Sequence, residues 1–406
     1  MFRRLLVFVF VAVAVLSAAP LQAQSDGSSG PVVVADVRGP LDQRTIDYLR
    51  EAVETPGAHL VILQLDAPGV ASGDPGPLYR AIRNTDTPTA VWVGPDGAEA
   101  YGGAGRLMLE VDVAGAAPGA LVGLFDPLVA GSESTGCSFE AAACAAFDTS
   151  FEITEEGPNP EFIDQVVPTI GQFIATFDGL EVRGTVLETV MPLEGDVDDV
   201  IVPSVVVRFT KPGLFTRFLR LSIRPEATFF FLVVGLVLVA FEFYAAGAGV
   251  AAAVAVLSLF LAGYGLATLP INWVAVLGVV LGVVLYSWEF QRNALGIRSL
   301  AGTALLVAGG LSITTAAPQF GPRWWAVVLV VLGAALFFVF GIATVVRSRF
   351  STPTIGREHL VGKVGVAETD FDPEGVVTLD GARWRARSHR AAGLGPGDAV
   401  EVLEVK

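Results

Sequence analysis

The groups that could do chemistry in the stretch 26–207 are few. Ser72, Ser132, Ser134 and Ser138 are the hydroxyl candidates, His59 is the sole imidazole, and no lysine occurs before Lys211. A hydroxyl becomes a nucleophile only beside a base that takes its proton. Arginine does not deprotonate in proteins and cannot serve. His59 opens an apolar run that reads as a core strand, so it is expected to be structural. Ser132 and Ser134 fall in a polar Gly/Ser loop with nothing to place them beside a base. Cys137 and Cys144 flank Ser-Phe-Glu-Ala-Ala-Ala; outside the cytoplasm the pair reads as a disulfide closing a small loop, with two free thiols as the alternative. The acidic run Glu194, Asp196, Asp198 and Asp199 lacks the spacing of a calcium loop and reads as an acidic turn. Neither a metal site nor a cofactor site is expected. Farther along, Glu242 and Glu289 are carboxylates at the ends of long apolar runs. Intramembrane carboxylates are candidates for proton or ion binding; at span ends they can equally reach water and cap the helix that follows.

The elements that must position these groups follow from the charge pattern. The chain has 406 residues, 52% hydrophobic and only 17% charged, with mean hydropathy +0.60 and net charge −15. Such a composition excludes a disordered chain and argues against a purely soluble one; the acidity argues against nucleic acid as a partner. Residues 26–207 hold 29 Asp and Glu against seven Arg. A collar at 208–226 then carries Arg208, Lys211, Arg217, Arg220 and Arg224, interleaved with Phe215, Phe218, Leu219 and Leu221, as in a segment lying on anionic headgroups. Residues 1–23 read as an export signal: Arg3 and Arg4, an apolar run, and Leu21-Gln22-Ala23 before the cleavage point, with an uncleaved anchor helix as the alternative. Apolar runs at 227–246, 248–268, 271–289, 298–317 and 324–346 predict five spans within a membrane region 227–346. Export of the acidic domain and five spans place the tail in the cytoplasm. Arg292, Arg298, Arg347 and Arg349 agree with the positive-inside rule, whereas the collar does not. The expected location is therefore a cell membrane, multi-pass, with membrane lipid as a partner. Glu242-Phe243 and Glu289-Phe290, Gly249 and Gly296, and Gly263 and Gly310 repeat at a 47-residue offset.

Within 26–207, β-branched and apolar runs at 32–37, 59–65, 89–93 and 107–113 read as strands. Asp42 caps a helix from Gln43 to Glu54, a second helix runs from Pro77 to Arg83, small residues 97–105 turn into a helix, and 119–127 is a Gly/Pro loop. Alternation of this kind predicts a parallel α/β sheet. The order Asp66-Ala67-Pro68-Gly69, Gly97-Ala98, Ala117-Pro118-Gly119 and Val122-Gly123 before Pro127 resembles the Clp-protease or crotonase-type domain of the NfeD membrane proteins, described as ClpP-class membrane serine proteases. The resemblance implies a Ser-Lys dyad. Its serine position falls on Gly102 or Gly103, and no lysine follows where the dyad needs one, so the catalytic residues are expected to be absent. Gly69 and Val70 are the backbone candidates for an oxyanion site.

In 355–406 the runs 361–368, 375–379, 383–387 and 399–405 read as short strands. The order Gly362-Lys363-Val364-Gly365, Asp372-Pro373-Glu374-Gly375, Trp384-Arg385-Ala386 and Gly397-Asp398 resembles the small OB-type barrel that ends NfeD proteins. Arg383, Arg385 and Arg387 share one strand face with Trp384 opposite, which reads as a solvated basic face and a core tryptophan. The resemblance implies partners of the stomatin/flotillin (SPFH) type and self-association into a homo-oligomer. The expected protein is thus a multi-domain membrane scaffold with an inactive protease-like domain. An active membrane serine endopeptidase and a small transporter are the alternatives.

Overall fold

The computed structural model describes residues 30–137, 139, 141–190, 204–245, 249–290, 296–314, 318–342, 358–389 and 393–405. The export signal, the acidic run 194–199 and Arg292, Arg347 and Arg349 lie outside the described residues. The chain forms two compact units, divided between Ile342 and Ala343.

The first unit opens with β1 (Val32–Arg38), α1 (Gln43–Val53), β2 (Leu60–Asp66), α2 (Gly76–Asn84) and β3 (Thr89–Val93). Asp42 begins α1 by accepting the Thr45 N–H at 3.0 Å, the use of an Asp cap that the sequence signals. β4 (Glu99–Tyr101) leads into a four-residue helix α3 (Gly102–Gly105) and a 3-10 turn over Arg106–Leu109. Then come β5 (Val113–Ala116), β6 (Leu121–Gly123), α4 (Ala141–Asp148), β7 (Ser150–Glu152), β8 (Gln165–Val166), α5 (Ile170–Ala175), a small hairpin of β9 (Glu181–Val182) and β10 (Thr185–Val186), and β11 (Val207–Thr210). The main sheet has the order β11-β1-β2-β3-β5-β8, and each neighbouring pair is parallel. β2 is buried along Leu60–Leu65, as a central parallel strand covered on both faces must be. Its odd residues Val61, Leu63 and Leu65 join Ile46, Leu49 and Ile82 on one face, while Leu60 and Ile62 pack with Phe173 and Phe177 on the other. A second sheet, β4-β6-β7, stands at the carboxyl end of the first, joined to it by the Ala67–Ala100 bridge.

Several local expectations differ. The apolar run 107–113 is mostly turn, because Leu107 and Met108 enter the core from the 3-10 turn that continues α3, and the strand begins only at Val113. The loop 119–127 contains β6, because its backbone pairs with both β4 and β7. Arg208–Thr210, the head of the collar, pair with β1 as part of β11.

After α6 (Leu214–Leu219) come five apolar helices: α7 (Pro225–Ala245), α8 (Val250–Thr268), α9 (Trp273–Phe290), α10 (Ile297–Leu311) and α11 (Trp324–Leu336), the last continued by a π turn over Phe337–Ile342. Three are long and apolar enough to cross a bilayer by length alone (Pro225–Tyr244, Val250–Thr268, Trp324–Gly341); Trp273–Glu289 and Ile297–Leu311 are shorter. α10 stops well before the expected residue 317, because the β-branched Ile313 and Thr314 leave the helix: Ile313 accepts the Asn272 N–H at 2.9 Å and Thr314 bridges Ile271. Backbones of α9 and α10 approach closely where a Cβ on Gly282 would lie 2.9 Å from the Gly302 carbonyl, the role expected of small residues between membrane helices.

The second unit is an antiparallel sheet in the order β14-β13-β12-β15, built from β12 (Val364–Ala367), β13 (Glu374–Leu379), β14 (Ala382–Arg387) and β15 (Ala399–Glu401). Trp384 packs against its core of Ala367, Phe371, Val377 and Leu379. Arg383, Arg385 and Arg387 face outward, the first two paired with Glu368 and Glu374.

Candidate functional site

The site lies at the carboxyl ends of β1 and β2, where open parallel sheets hold ligands. Beyond β2 the chain bends at Pro68 and passes through Gly69, whose φ is +141°, to Val70. The Gly69 carbonyl accepts the Leu41 N–H at 2.9 Å, and Val70 bridges Leu41 on one side and Val129 on the other. Across from it, β4 ends at Tyr101 and turns sharply through Gly102, whose φ of +52° lies in the left-handed region. The structure therefore brings Gly102 and Gly103 beside Gly69 and Val70: a Cβ on Gly102 would sit 3.8 Å from the Gly69 Cα, and one on Gly103 3.0 Å from the Val70 side chain.

The space between them is filled by the chain itself. Leu128 accepts the Gly103 N–H at 3.0 Å, and Ala130 donates its N–H to Val70 at 2.8 Å. The segment 128–130 thus lies as an extra strand across the site, and a Cβ on Gly103 would lie 2.4 Å from the Leu128 carbonyl oxygen. The Tyr79 hydroxyl closes the other side by donating to the Gly103 carbonyl at 2.6 Å. Burial, with Glu110 and Asp74 adding to it against Arg106, pushes Tyr79 well above the ordinary phenol range, so it stays a donor and is no base.

The other described candidates have partners of their own or lie elsewhere. His59 precedes the first residue of β2, at the opposite end of a strand that rises roughly 20 Å from Leu60 to Asp66 at about 3.3 Å per residue. The Ser132 hydroxyl donates to the Val129 carbonyl at 2.8 Å. Ser134 and Thr135 bond to Asp126; burial works against that carboxylate, but these bonds and the Gly136 N–H outweigh it and hold its pKa below the usual range. Ser72 lies two residues beyond Val70 with its backbone directed at Leu41, and Ser138 is outside the described residues. Cys137 and Cys144 are bonded to one another, S–S 2.12 Å, beside this loop. Among the described residues no group of three His, Cys, Asp or Glu could hold a metal.

The sequence carried no sign of what covers the mouth. Phe320, on a 3-10 turn (Pro318–Phe320) between α10 and α11, sits 3.3 Å from the Cβ position of Gly69 and forms a small core with Ala71 and Leu269, against Ala130 and Ile271. Beside it the Tyr264 hydroxyl on α8 bonds to the capping Asp42, and Arg220 bonds to Thr45 and the Arg38 and Pro40 carbonyls. Glu99, half-buried at the start of β4, has a raised pKa: burial first, then Asp66, with Arg323 and Arg224 opposing. The bundle thus contributes aromatic and cationic groups to the rim of a site built by the sheet.

At the far end of the bundle the two carboxylates behave alike. Glu242 accepts the Gly249 N–H at 3.1 Å and Glu289 the Arg298 N–H at 3.0 Å, each at the start of the next helix. Glu289 is buried.

An acidic α/β domain with this site, fused to an apolar helical bundle and a small β domain, defines the class; the family follows from comparison. A family model for the NfeD integral membrane domain matches residues 226–344, and one for the NfeD-like C-terminal, partner-binding domain matches 357–406. The C-terminal part of the chain thus carries the two NfeD domains, the membrane one and the partner-binding one. It is also 23% identical over 405 residues to "Membrane-bound protease PH1510" of Pyrococcus horikoshii, covering 92% of this chain and 91% of that protein. Among solved structures it is similar to the 1510-N membrane protease specific for a stomatin homolog from Pyrococcus horikoshii (TM-score 0.34, 20% identity, 48% of this chain and 98% of that one). It is also similar to a putative enoyl-CoA hydratase from Streptomyces coelicolor A3(2) (TM-score 0.27, 14% identity, 37% and 71%).

Proposed function

We propose that this protein is a non-catalytic membrane scaffold: a protease-like domain outside the cytoplasm that has lost its dyad, a membrane anchor, and a cytoplasmic β domain that engages a stomatin- or flotillin-type partner. One observation carries the reading. Where the resemblance calls for a nucleophile, the chain has Gly102 and Gly103, and the Leu128 carbonyl fills the space a side chain would need. The absence of lysine before Lys211 removes the proton acceptor as well. The relative described as specific for a stomatin homolog supports the partner class, and the partner-binding description of the C-terminal domain supports its route. Self-association and the signal at 1–23 belong to the same reading.

The test uses the full chain in detergent or nanodiscs with a stomatin-type protein encoded in the same genome. Retention of the intact partner, with no cleavage over many hours, is expected. Reporter fusions after 23 and at 406 should place the two ends on opposite sides of the membrane. The relative's designation as a protease favours the rival reading, an active endopeptidase using another nucleophile. Partner cleavage that disappears in Ser132→Ala would establish that rival.

A further inference from the structure

We infer that the collar and the sheet edge together form a binding site for the phosphate of an anionic phospholipid headgroup. The site is an open concavity of about 430 Å³ lined by Asp36, Arg38, Lys211, Arg217, Arg220 and Leu221. Four cations face one carboxylate there. Arg220 is a fixed wall, its guanidinium held by the Arg38 and Pro40 carbonyls and the Thr45 hydroxyl. Arg38 is 3.4 Å from Asp36 and largely exposed. Lys211 and Arg217 are exposed and have no ion pair among the described residues. Unpaired cations around a concavity suit a compact anion: the arginine fork takes two phosphate oxygens and the lysine adds a point charge.

The position selects a lipid as the source of that anion. The collar runs directly into α7, which begins at Pro225. On the same stretch Leu214, Phe215 and Leu221 are 70%, 57% and 56% exposed, an apolar fringe beside the basic pocket, as in segments that lie at the acyl–headgroup boundary. Trp273 and Trp324, at the starts of α9 and α11, are also exposed at this end of the bundle, where aromatic belts mark the interface. A soluble anion site would need no such fringe. The pocket also gives three of the collar's five basic residues, Lys211, Arg217 and Arg220, a role that orientation by charge does not give them. This inference is independent of whether the groove at Gly103 is active.

The experiment uses the full chain in mild detergent, titrated with phosphatidylglycerol or phosphatidylcholine and read by native mass spectrometry, with inorganic phosphate as a separate arm. Phosphatidylglycerol is expected to be retained over phosphatidylcholine. Lys211→Ala with Arg217→Ala should lower retention by about 25-fold, taking roughly fivefold per basic group at a membrane surface. Lys211→Arg with Arg217→Lys should keep it, and Arg208→Ala, outside the cavity, should leave it unchanged. Lys211→Ala alone, at an exposed residue, provides the same reading with a smaller effect if the double variant fails to fold. Equal retention of both lipids, unchanged retention in the alanine variants, or inorganic phosphate binding without lipid preference would overturn the proposal.

Discussion

Placing a serine at Gly103 should destabilise the domain for a steric reason that the geometry gives. In Gly103→Ser the new Cβ would fall 2.4 Å from the Leu128 carbonyl oxygen and 3.0 Å from both the Tyr79 hydroxyl and the Val70 side chain. The first contact is with backbone, fixed by the Gly103–Leu128 and Ala130–Val70 hydrogen bonds, so relief requires moving the strand. Overpacking of this kind costs about 1–3 kcal/mol, and losing the Leu128 hydrogen bond adds about 1 kcal/mol. Gly102→Ser meets the Pro127 carbonyl only at 3.2 Å, but at φ +52°; the left-handed conformation costs about 1–2 kcal/mol. Gly103→Ser should therefore melt several degrees below the parent and further below it than Gly102→Ser, by circular dichroism in detergent. Neither variant should react with a fluorophosphonate probe, because no base stands nearby. A Gly103→Ser protein that melts like the parent and labels with the probe would show that the segment 128–130 yields easily, and the argument from a filled site would fail.

Phe320→Ala should uncover Gly69: removing a buried phenylalanine costs about 3–5 kcal/mol, and a cysteine placed at Ala71, 5% exposed under the ring, should react with maleimide much faster in that background. Unchanged labelling would mean that Leu269 and Ile271 alone seal the mouth. Glu289→Ala should destabilise the bundle by about 1.5–3 kcal/mol through loss of the bond to the Arg298 N–H, with Glu289→Gln milder because its amide oxygen still accepts. Proton-coupled flux in liposomes that vanishes in Glu242→Gln plus Glu289→Gln would instead support a transporter. Glu99 has a raised pKa, so its ionisation costs stability above that pKa, and the cost fades as pH falls toward the ordinary value of 4.5. Glu99→Gln should accordingly raise the melting temperature at pH 7 and have little effect near pH 4; a gain independent of pH would point to a packing effect.

Local pattern made much of this protein legible. β2 could be placed because its residues are apolar on both faces, and α1 because Asp42 precedes an amphipathic run. The apolar runs marked the helices, although α10 was overestimated where Ile313 and Thr314 prefer an extended bridge to Ile271. The run at Leu107 reads as a strand in the sequence yet forms a 3-10 turn, because a short apolar stretch has no period of its own. Residue types alone give the glycines at 102 and 103, which carry no hydroxyl, and the lack of any lysine before Lys211.

What the amino-acid order determined, then, is the layout of an acidic α/β domain, an apolar bundle and a β tail, together with glycine at 102 and 103 and no lysine before Lys211, since these depend on side-chain identity and short-range spacing. Only the tertiary structure decided that the vacant place is occupied by Leu128 and roofed by Phe320. Those contacts join residues far apart in the chain, and their energy comes from the distance and orientation of surfaces that no local pattern encodes.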